Sequence, residues 1–273
     1  MNVLTNATAR QYAEGKLLQS VGEGIAILTI NNPERLNAIS VEVAAGLGEA
    51  LTALRDDPAV QVLILTGAGE KAFISGGDIS QFDKTRPNAE VAAKSAAKFR
   101  ERQALLANFP KPTISAIRGY CLGGGLGTAL NTDIRIAAHG SRFGIPAARL
   151  GIAYGFDGLQ RLVALVGPSR ARLILYTGMR LSAEEALSFG LIDRLVPPEG
   201  LWPATLEVAR QIAQNAPLAI SAAKITINEI LKDHHQRDMQ AIADIGTKCM
   251  DSEDFREGRR AFMEKRTPKF AGR

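Results

Sequence analysis

The apolar positions of this chain follow two rhythms, and the change between them falls near residue 197. Before it, apolar residues come in short unbroken runs: Gly24–Ile30, Val62–Thr66, Thr113–Ile117 and Asp133–Ala138. Runs of that length, bounded by Gly, Pro or Asn, predict strands buried on both faces. Leu17-Leu18 predicts a further strand, joined to the Gly24–Ile30 strand through a Val21–Gly24 turn. Shorter extended pieces are expected over 71–79, 141–143 and 191–196. Helical spacing fills the gaps: from the N-cap Ser40 to about Arg55, from Ala89 to Asn108, then 157–166, 169–177 and 182–189. Residues 1–14 are polar and alanine-rich and predict a frayed lead-in, and 80–90 predict a loop. After Leu201 the spacing is helical throughout, over roughly 201–215, 217–231, 235–248 and 251–264. A recurring strand–strand–helix unit up to residue 197 predicts an α/β core, and 198–273 predict a helical region.

One stretch organises the core. Gly119-Tyr-Cys-Leu-Gly-Gly-Gly-Leu-Gly127 leaves the Thr113–Ile117 strand and opens a helix. Consecutive glycines leave backbone N–H groups bare, and a helix start adds partial positive charge. Three uses fit: close packing of strand on helix, a dinucleotide-binding turn, or an oxyanion hole. A dinucleotide turn wants glycines at relative positions one, three and six; counted from Gly123, the last falls on Thr128. An oxyanion hole needs a second N–H donor from elsewhere in the chain.

Composition narrows the function classes. Lys and Arg number 33 against 28 Asp and Glu, so the net charge is +5, yet the cations are scattered. Only the tail concentrates them, at Arg256, Arg259, Arg260, Lys265, Arg266 and Lys269. Without an aromatic-interleaved basic stripe, a polyanionic small molecule explains the excess and a nucleic acid is not expected. Cys121 and Cys249 are too few for a disulfide framework, which indicates a reducing, cytoplasmic setting. Cys121 reads as a small buried thiol, since no histidine neighbours it. His139, His234 and His235 lack metal-site spacing, and no metal is expected. No apolar run reaches membrane-spanning length, so no membrane partner is expected.

Several stretches together carry a family resemblance: Asn32-Pro-Glu-Arg-Leu-Asn-Ala38, Lys71-Ala-Phe-Ile-Ser-Gly-Gly-Asp-Ile79, Gly119–Gly127, Asp133–Ala138, Phe143-Gly-Ile-Pro146, Gln160-Arg-Leu162, Glu184–Ile192 and Phe262–Arg266. In this order and spacing the chain resembles the crotonase superfamily, the enoyl-CoA hydratase/isomerase family, over nearly its whole length. The resemblance implies an α/β spiral of ββα turns, a C-terminal helical region that assembles trimers or dimers of trimers, and an acyl-CoA thioester as substrate. No further cofactor is implied, since coenzyme A enters with the substrate. It places the two oxyanion N–H donors at Gly77 and Gly124. It places Arg35, Leu36, Ala38, Phe73, Ser75, Asp78 and Ile79 along the coenzyme A site, with Tyr120, Gly123, Ala147 and Arg149 as further substrate contacts. Phe262 and Lys265 fall where the family meets the nucleotide end, often from a neighbouring subunit.

The sequence departs from the family at the two glutamates that hold and activate water in the hydratases. Those positions are Gly127 and Ala147 here, and neither side chain transfers a proton. A missing general acid or base costs ~10²–10⁴ in rate, so ordinary enoyl-CoA hydration is not expected. Substitutes would come from the 147–158 segment. Asp157 is either a base or a helix N-cap, Tyr154 either a donor or a core tyrosine, and Arg149 either a carboxylate anchor or half of a structural ion pair. Ser75 lacks the first glycine of a nucleophile elbow. Two function classes follow: an acyl-CoA-processing enzyme of hydratase/isomerase type, or an acyl-CoA-binding protein with little or no catalysis.

Overall fold

The computed structural model describes residues 4–5, 7–81 and 89–273, with backbone alone for Ile79, Ala89, Ala92, Ala93 and Ala96. The loop expected over 80–90 therefore falls, for 82–88, outside the described residues.

The strands are β1 (Thr8–Tyr12), β2 (Leu17–Gly22), β3 (Ile25–Ile30), β4 (Val62–Gly67), β5 (Ala72–Ile74), β6 (Thr113–Ile117), β7 (Tyr120–Leu122), β8 (Ile134–Ala138), β9 (Arg142–Gly144), β10 (Leu181–Ser182) and β11 (Arg194–Val196). They form two sheets. The larger has seven strands in the order β1-β2-β3-β4-β6-β8-β11, parallel from β3 onward, and the smaller has the order β10-β9-β7-β5. Each repeat sends its first strand to the large sheet and its second to the small one: β4 then β5, β6 then β7, β8 then β9.

The unbroken apolar runs follow from this layering. Along β3 and β4, Leu28, Ile30, Leu63 and Leu65 enter the core between the sheets, while Ile25, Ile27, Val62 and Ile64 enter a second core on the outer face. With both faces covered, alternation has nothing to mark. Helices α1 (Val41–Asp56), α2 (Ala89–Ala107), α3 (Gly124–Ala129), α4 (Phe156–Thr177) and α5 (Ala183–Ser188) belong to the repeats. Ser40 caps α1 as expected, accepting from Val43 N–H at 3.3 Å. The two helices expected over 157–166 and 169–177 run on as α4, kinked at Gly167, φ 77°, before Pro168.

Two expectations need correction. The lead-in is not frayed throughout: Thr8–Tyr12 pairs antiparallel with β2 and forms the sheet's edge. Its side chains are exposed or half-buried, so it carries no apolar signal. Of the four last helices, the first two start where their spacing suggests, at 201 and 217, and the other two start later. They are α6 (Leu201–Ala213), α7 (Pro217–Ile230), α8 (Met239–Asp251) and α9 (Glu253–Met263), with a 3₁₀ turn at His234–Gln236 before α8. Among them α6 lies on the large sheet, burying Leu201, Ala204, Leu206 and Ala209 in the outer core. No helix among the described residues is long and apolar enough to cross a membrane.

One lysine ties α7 to the sheet. Lys224 Nζ reaches Asp133 Oδ2 at 2.7 Å and the Lys111 carbonyl at 2.8 Å. Asp133 in turn receives the Thr113 N–H and hydroxyl, at 2.7 and 2.9 Å. Lys224→Met keeps the stem and removes both bonds. The carboxylate is partly solvated, so the expected loss is about 1–2 kcal/mol, read as a lower denaturation midpoint. An unchanged midpoint would show that α7 does not depend on this contact.

Candidate active site

β5 and β7 are parallel neighbours, so the turns at their carboxyl ends emerge side by side. The first turn carries Gly76-Gly77 and the second Gly123-Gly124. A Cβ built on Gly124 would lie 3.6 Å from the Gly77 nitrogen. Ile39 pairs with Gly77 as a parallel bridge: its N–H donates to the Gly76 carbonyl at 2.8 Å, and its carbonyl accepts from Asp78 N–H at 3.0 Å. That pairing uses the flanking groups and leaves the Gly77 N–H directed away from Ile39. On the other side Gly123 takes φ 53°, ψ −120°, a conformation open to glycine, and donates its N–H to Gly144 O at 2.8 Å. Gly124 then starts α3 with its own N–H bare. Among the described residues neither the Gly77 nor the Gly124 N–H has an acceptor.

Two bare N–H groups this close can share one oxygen that gathers charge. Because α3 has only six residues, the donors themselves matter here more than any helix dipole. The carbonyls of α3 are held from behind. Thr128 Oγ1 donates to Gly124 O at 2.9 Å, Asn131 Nδ2 to Gly127 O at 3.0 Å, and Gln103 of α2 bonds both side chains.

The Gly77 side is fixed by Asn37, a residue of the Asn32–Ala38 motif for which the sequence alone predicts no individual role. Asn37 is fully buried with φ 56°. Its amide donates to Ala68 O at 2.9 Å and Ala72 O at 2.7 Å, and its oxygen accepts Asn32 N–H at 3.0 Å. This locks the 32–38 turn onto β5, where Ser75 N–H reaches Leu36 O at 3.1 Å. Asp78 pairs with Arg35 at 3.2 Å and accepts the Ser80 hydroxyl at 2.6 Å. The Ser80 hydroxyl, with Arg35 adding to it, holds the Asp78 carboxyl below the ordinary carboxylate range. Arg35, Leu36, Ala38, Ser75 and Asp78 thus gather around the Gly77 turn, with the backbone of Ile79 beside them.

Other expected contacts lie elsewhere. Phe73 is among the largest fully buried side chains and fills the core between the sheets, so it offers no side-chain surface to a ligand. Tyr120 stands at the amino end of β7. There it lines a separate concavity with Lys71, Gly119, Gly140 and Arg142, under the guanidinium of Arg180 at 5.6 Å. Arg149 lies along Gly178 and donates to the Thr177 carbonyl at 3.3 Å, where its charge suits the end of α4. Asp157 is exposed in the first turn of α4 and makes no cap bond, since Gly155 is the N-cap. Ala147 is half-buried against the core. Cys121 is wholly buried, and burial pushes its thiol up, away from nucleophilic use. Phe262 and Lys265 stand exposed at the end of α9. Tyr154 is the exception: it comes to Gly127 and bonds the Gly123 carbonyl at 3.3 Å.

Known proteins resemble this chain in sequence and in fold. The family model for Enoyl-CoA hydratase/isomerase matches residues 20–273. A crotonyl-CoA hydratase from Syntrophomonas wolfei is 39% identical over 248 residues, covering 91% of this chain and 95% of its own length. A carnitinyl-CoA dehydratase from Salmonella arizonae is 36% identical over 251 residues, covering 90% and 94%. The crystal structure of an enoyl-CoA hydratase/carnithine racemase from Magnetospirillum magneticum superposes with a TM-score of 0.90 at 34% identity, over 94% of this chain and 96% of that one.

Asn37→Ala tests how the Gly77 donor is held. It leaves one buried and one partly buried carbonyl and one buried N–H without partners and puts a Cβ residue without side-chain bonds in a left-handed backbone. The expected cost is about 3 kcal/mol in chemical denaturation. Stability within about 0.5 kcal/mol of the parent would show that the 32–38 turn is fixed by something else.

Proposed function

The chain belongs to the enoyl-CoA hydratase/isomerase family, and on that footing we propose that it processes acyl-CoA thioesters by stabilising a thioester enolate between the Gly77 and Gly124 N–H groups. The observation that carries this reading is the convergence of two unpaired backbone donors. When an α-carbon loses a proton, or a nucleophile adds at the β-carbon, negative charge moves onto the thioester oxygen. Each donor aimed at that oxygen is worth ~10²–10³ in rate. Coenzyme A would enter with the substrate, along the Arg35–Ala38 turn and the Ser75–Ile79 strand end.

Hydration needs more than this hole. It needs groups that deliver a water and a proton to the double bond. Gly127 and Ala147 supply neither, and Asp157 is exposed rather than enclosed. Crotonyl-CoA hydration is therefore expected at least ~10²-fold slower than in a two-glutamate relative. A spectrophotometric assay over enoyl-, 3-hydroxyacyl- and malonyl-type CoA thioesters decides the outcome. Crotonyl-CoA turnover equal to such a relative would overturn the reading of positions 127 and 147. Tight binding with no turnover on any thioester would favour the other class, an acyl-CoA-binding protein without catalysis.

The tail belongs to the same proposal. Ile227, Ile230, Leu231, Met239 and Met250 are exposed on and between α7 and α8, and Phe262 and Met263 are about four-fifths exposed at the end of α9. Such apolar surface supports self-association as a trimer or a dimer of trimers. The end of α9 is held by Glu257, which accepts Arg266 at 2.6 Å and the Lys269 N–H at 3.0 Å. Phe262→Ala with Lys265→Ala is expected to weaken CoA-thioester affinity about tenfold, read by calorimetry, the size of one lost charge-assisted contact. Unchanged affinity would remove both residues from the nucleotide end.

A further inference from the structure

Gly127 has an ordinary helical backbone and does not need to be glycine for its conformation. It needs to be glycine for space. A Cβ built there would lie 2.6 Å from the Tyr154 hydroxyl oxygen and 3.8 Å from Cζ, with nothing else within 4 Å. Gly158 on α4 gives the same room on the other side, since its Cβ would lie 2.6 Å from Tyr154 Cε1. The ring is thus clamped between two glycines on two helices. Its hydroxyl enters the volume that a side chain at 127 would occupy and donates to the Gly123 carbonyl at 3.3 Å. Gly123 is the residue whose turn exposes the Gly124 N–H.

We propose that the Tyr154 hydroxyl is the proton-transfer group of this site, standing in the space left by Gly127. The proposal rests on the enolate reading above. The step is a protonation at carbon. The Tyr154 O–H bond breaks as the enolate electron pair forms a C–H bond at the α-carbon. The thioester carbonyl is restored, and the tyrosinate takes a proton from water. In reverse, the tyrosinate removes an α-proton. The substrates are CoA thioesters whose α-carbon gains or loses a proton. Burial supports the assignment of a donor: it raises the Tyr154 hydroxyl to about 12, with the neighbouring Cys121 adding to it, so the phenol stays protonated. Gly127 and Tyr154 then act as one unit, since any side chain at 127 has to displace the phenol from its place.

The probe is exchange of the butyryl-CoA α-protons with deuterium from solvent, followed by NMR, beside thioester affinity and thermal midpoint. Tyr154→Phe keeps the clamped ring. It is expected to lower exchange at least ~10²-fold while affinity and midpoint stay near the parent's. Exchange within threefold of the parent, or a loss that only tracks weaker binding, overturns the proposal. A parent that binds butyryl-CoA but exchanges nothing also overturns it and leaves the thioester site standing. A parent that binds no thioester sinks the enolate reading itself. Gly127→Ala supplies an independent sign test. In the parent the new methyl meets the hydroxyl, so the midpoint and exchange should both fall. In the Tyr154→Phe background the nearest atom is Cζ at 3.8 Å, so alanine's better helix propensity should raise the midpoint. The same sign in both backgrounds overturns the claim that the hydroxyl fills this space.

Discussion

Everything in the site depends on how closely backbone approaches backbone around one short strand. Three elements press on residues 71–74 at positions where a side chain would strike a carbonyl oxygen. A Cβ on Gly67, at the end of β4, would fall on the carbonyls of Ala72 and Phe73. One on Gly119, before β7, would fall on the Lys71 carbonyl, and one on Gly125, in α3, on that of Ile74. Side chains can change rotamer to absorb a misfit; peptide groups in contact cannot. The separation of the Gly77 and Gly124 nitrogens is therefore set by main-chain contacts. Donors held that way need no reorganisation when charge develops on a bound oxygen, which is the condition under which such donors are most effective.

The same constraint explains why so much polar side-chain chemistry sits behind the site instead of in it. Asn37 satisfies the carbonyls of Ala68 and Ala72, while Thr128 and Asn131, both held by Gln103, satisfy those of a helix too short to hold itself. A six-residue helix makes few internal bonds for the residues it orders. Tying its carbonyls to α2 compensates, and it keeps the N–H end of the helix facing the gap above β5 and β7.

Much of this was legible in the sequence. The glycine turn, the Ser75–Gly77 strand end and the Ser40 cap each follow from residue type and spacing alone. The edge strand Thr8–Tyr12 did not, because an exposed strand without an apolar face looks like a loop. Phe73 was placed along the coenzyme A site by the resemblance alone, and the burial of its side chain between the sheets was not readable. In a three-residue strand, alternation cannot say which side faces the core. The meeting of Gly127 with Tyr154 was out of reach altogether. The two are 27 positions apart, as the numbers 127 and 154 show, and only the fold brings the Tyr154 hydroxyl, just ahead of α4, to the face of α3 where Gly127 leaves room. A glycine at a helical φ was the available signal, and it pointed to missing volume without saying what fills it.

The exchange of a carboxylate for a phenol also changes the electrostatics around the hole. A carboxylate at 127 would place a full negative charge near the developing enolate oxygen. At about 5 Å and an effective dielectric constant of about 20, two such charges repel by about 3 kcal/mol. A hydratase accepts that repulsion because the carboxylate is needed to activate water. A neutral phenol in the same volume imposes none of it and can still give a proton. Burial keeps the hydroxyl protonated near neutral pH, so giving a proton is its favoured direction and removing one from an α-carbon draws on the small tyrosinate fraction. Under the proposed chemistry, the pairing of Gly127 with Tyr154 therefore strengthens the hold on an enolate and weakens the capacity to add water across a double bond. That trade follows from charge and volume at one point of the fold, while the two backbone donors stay in place.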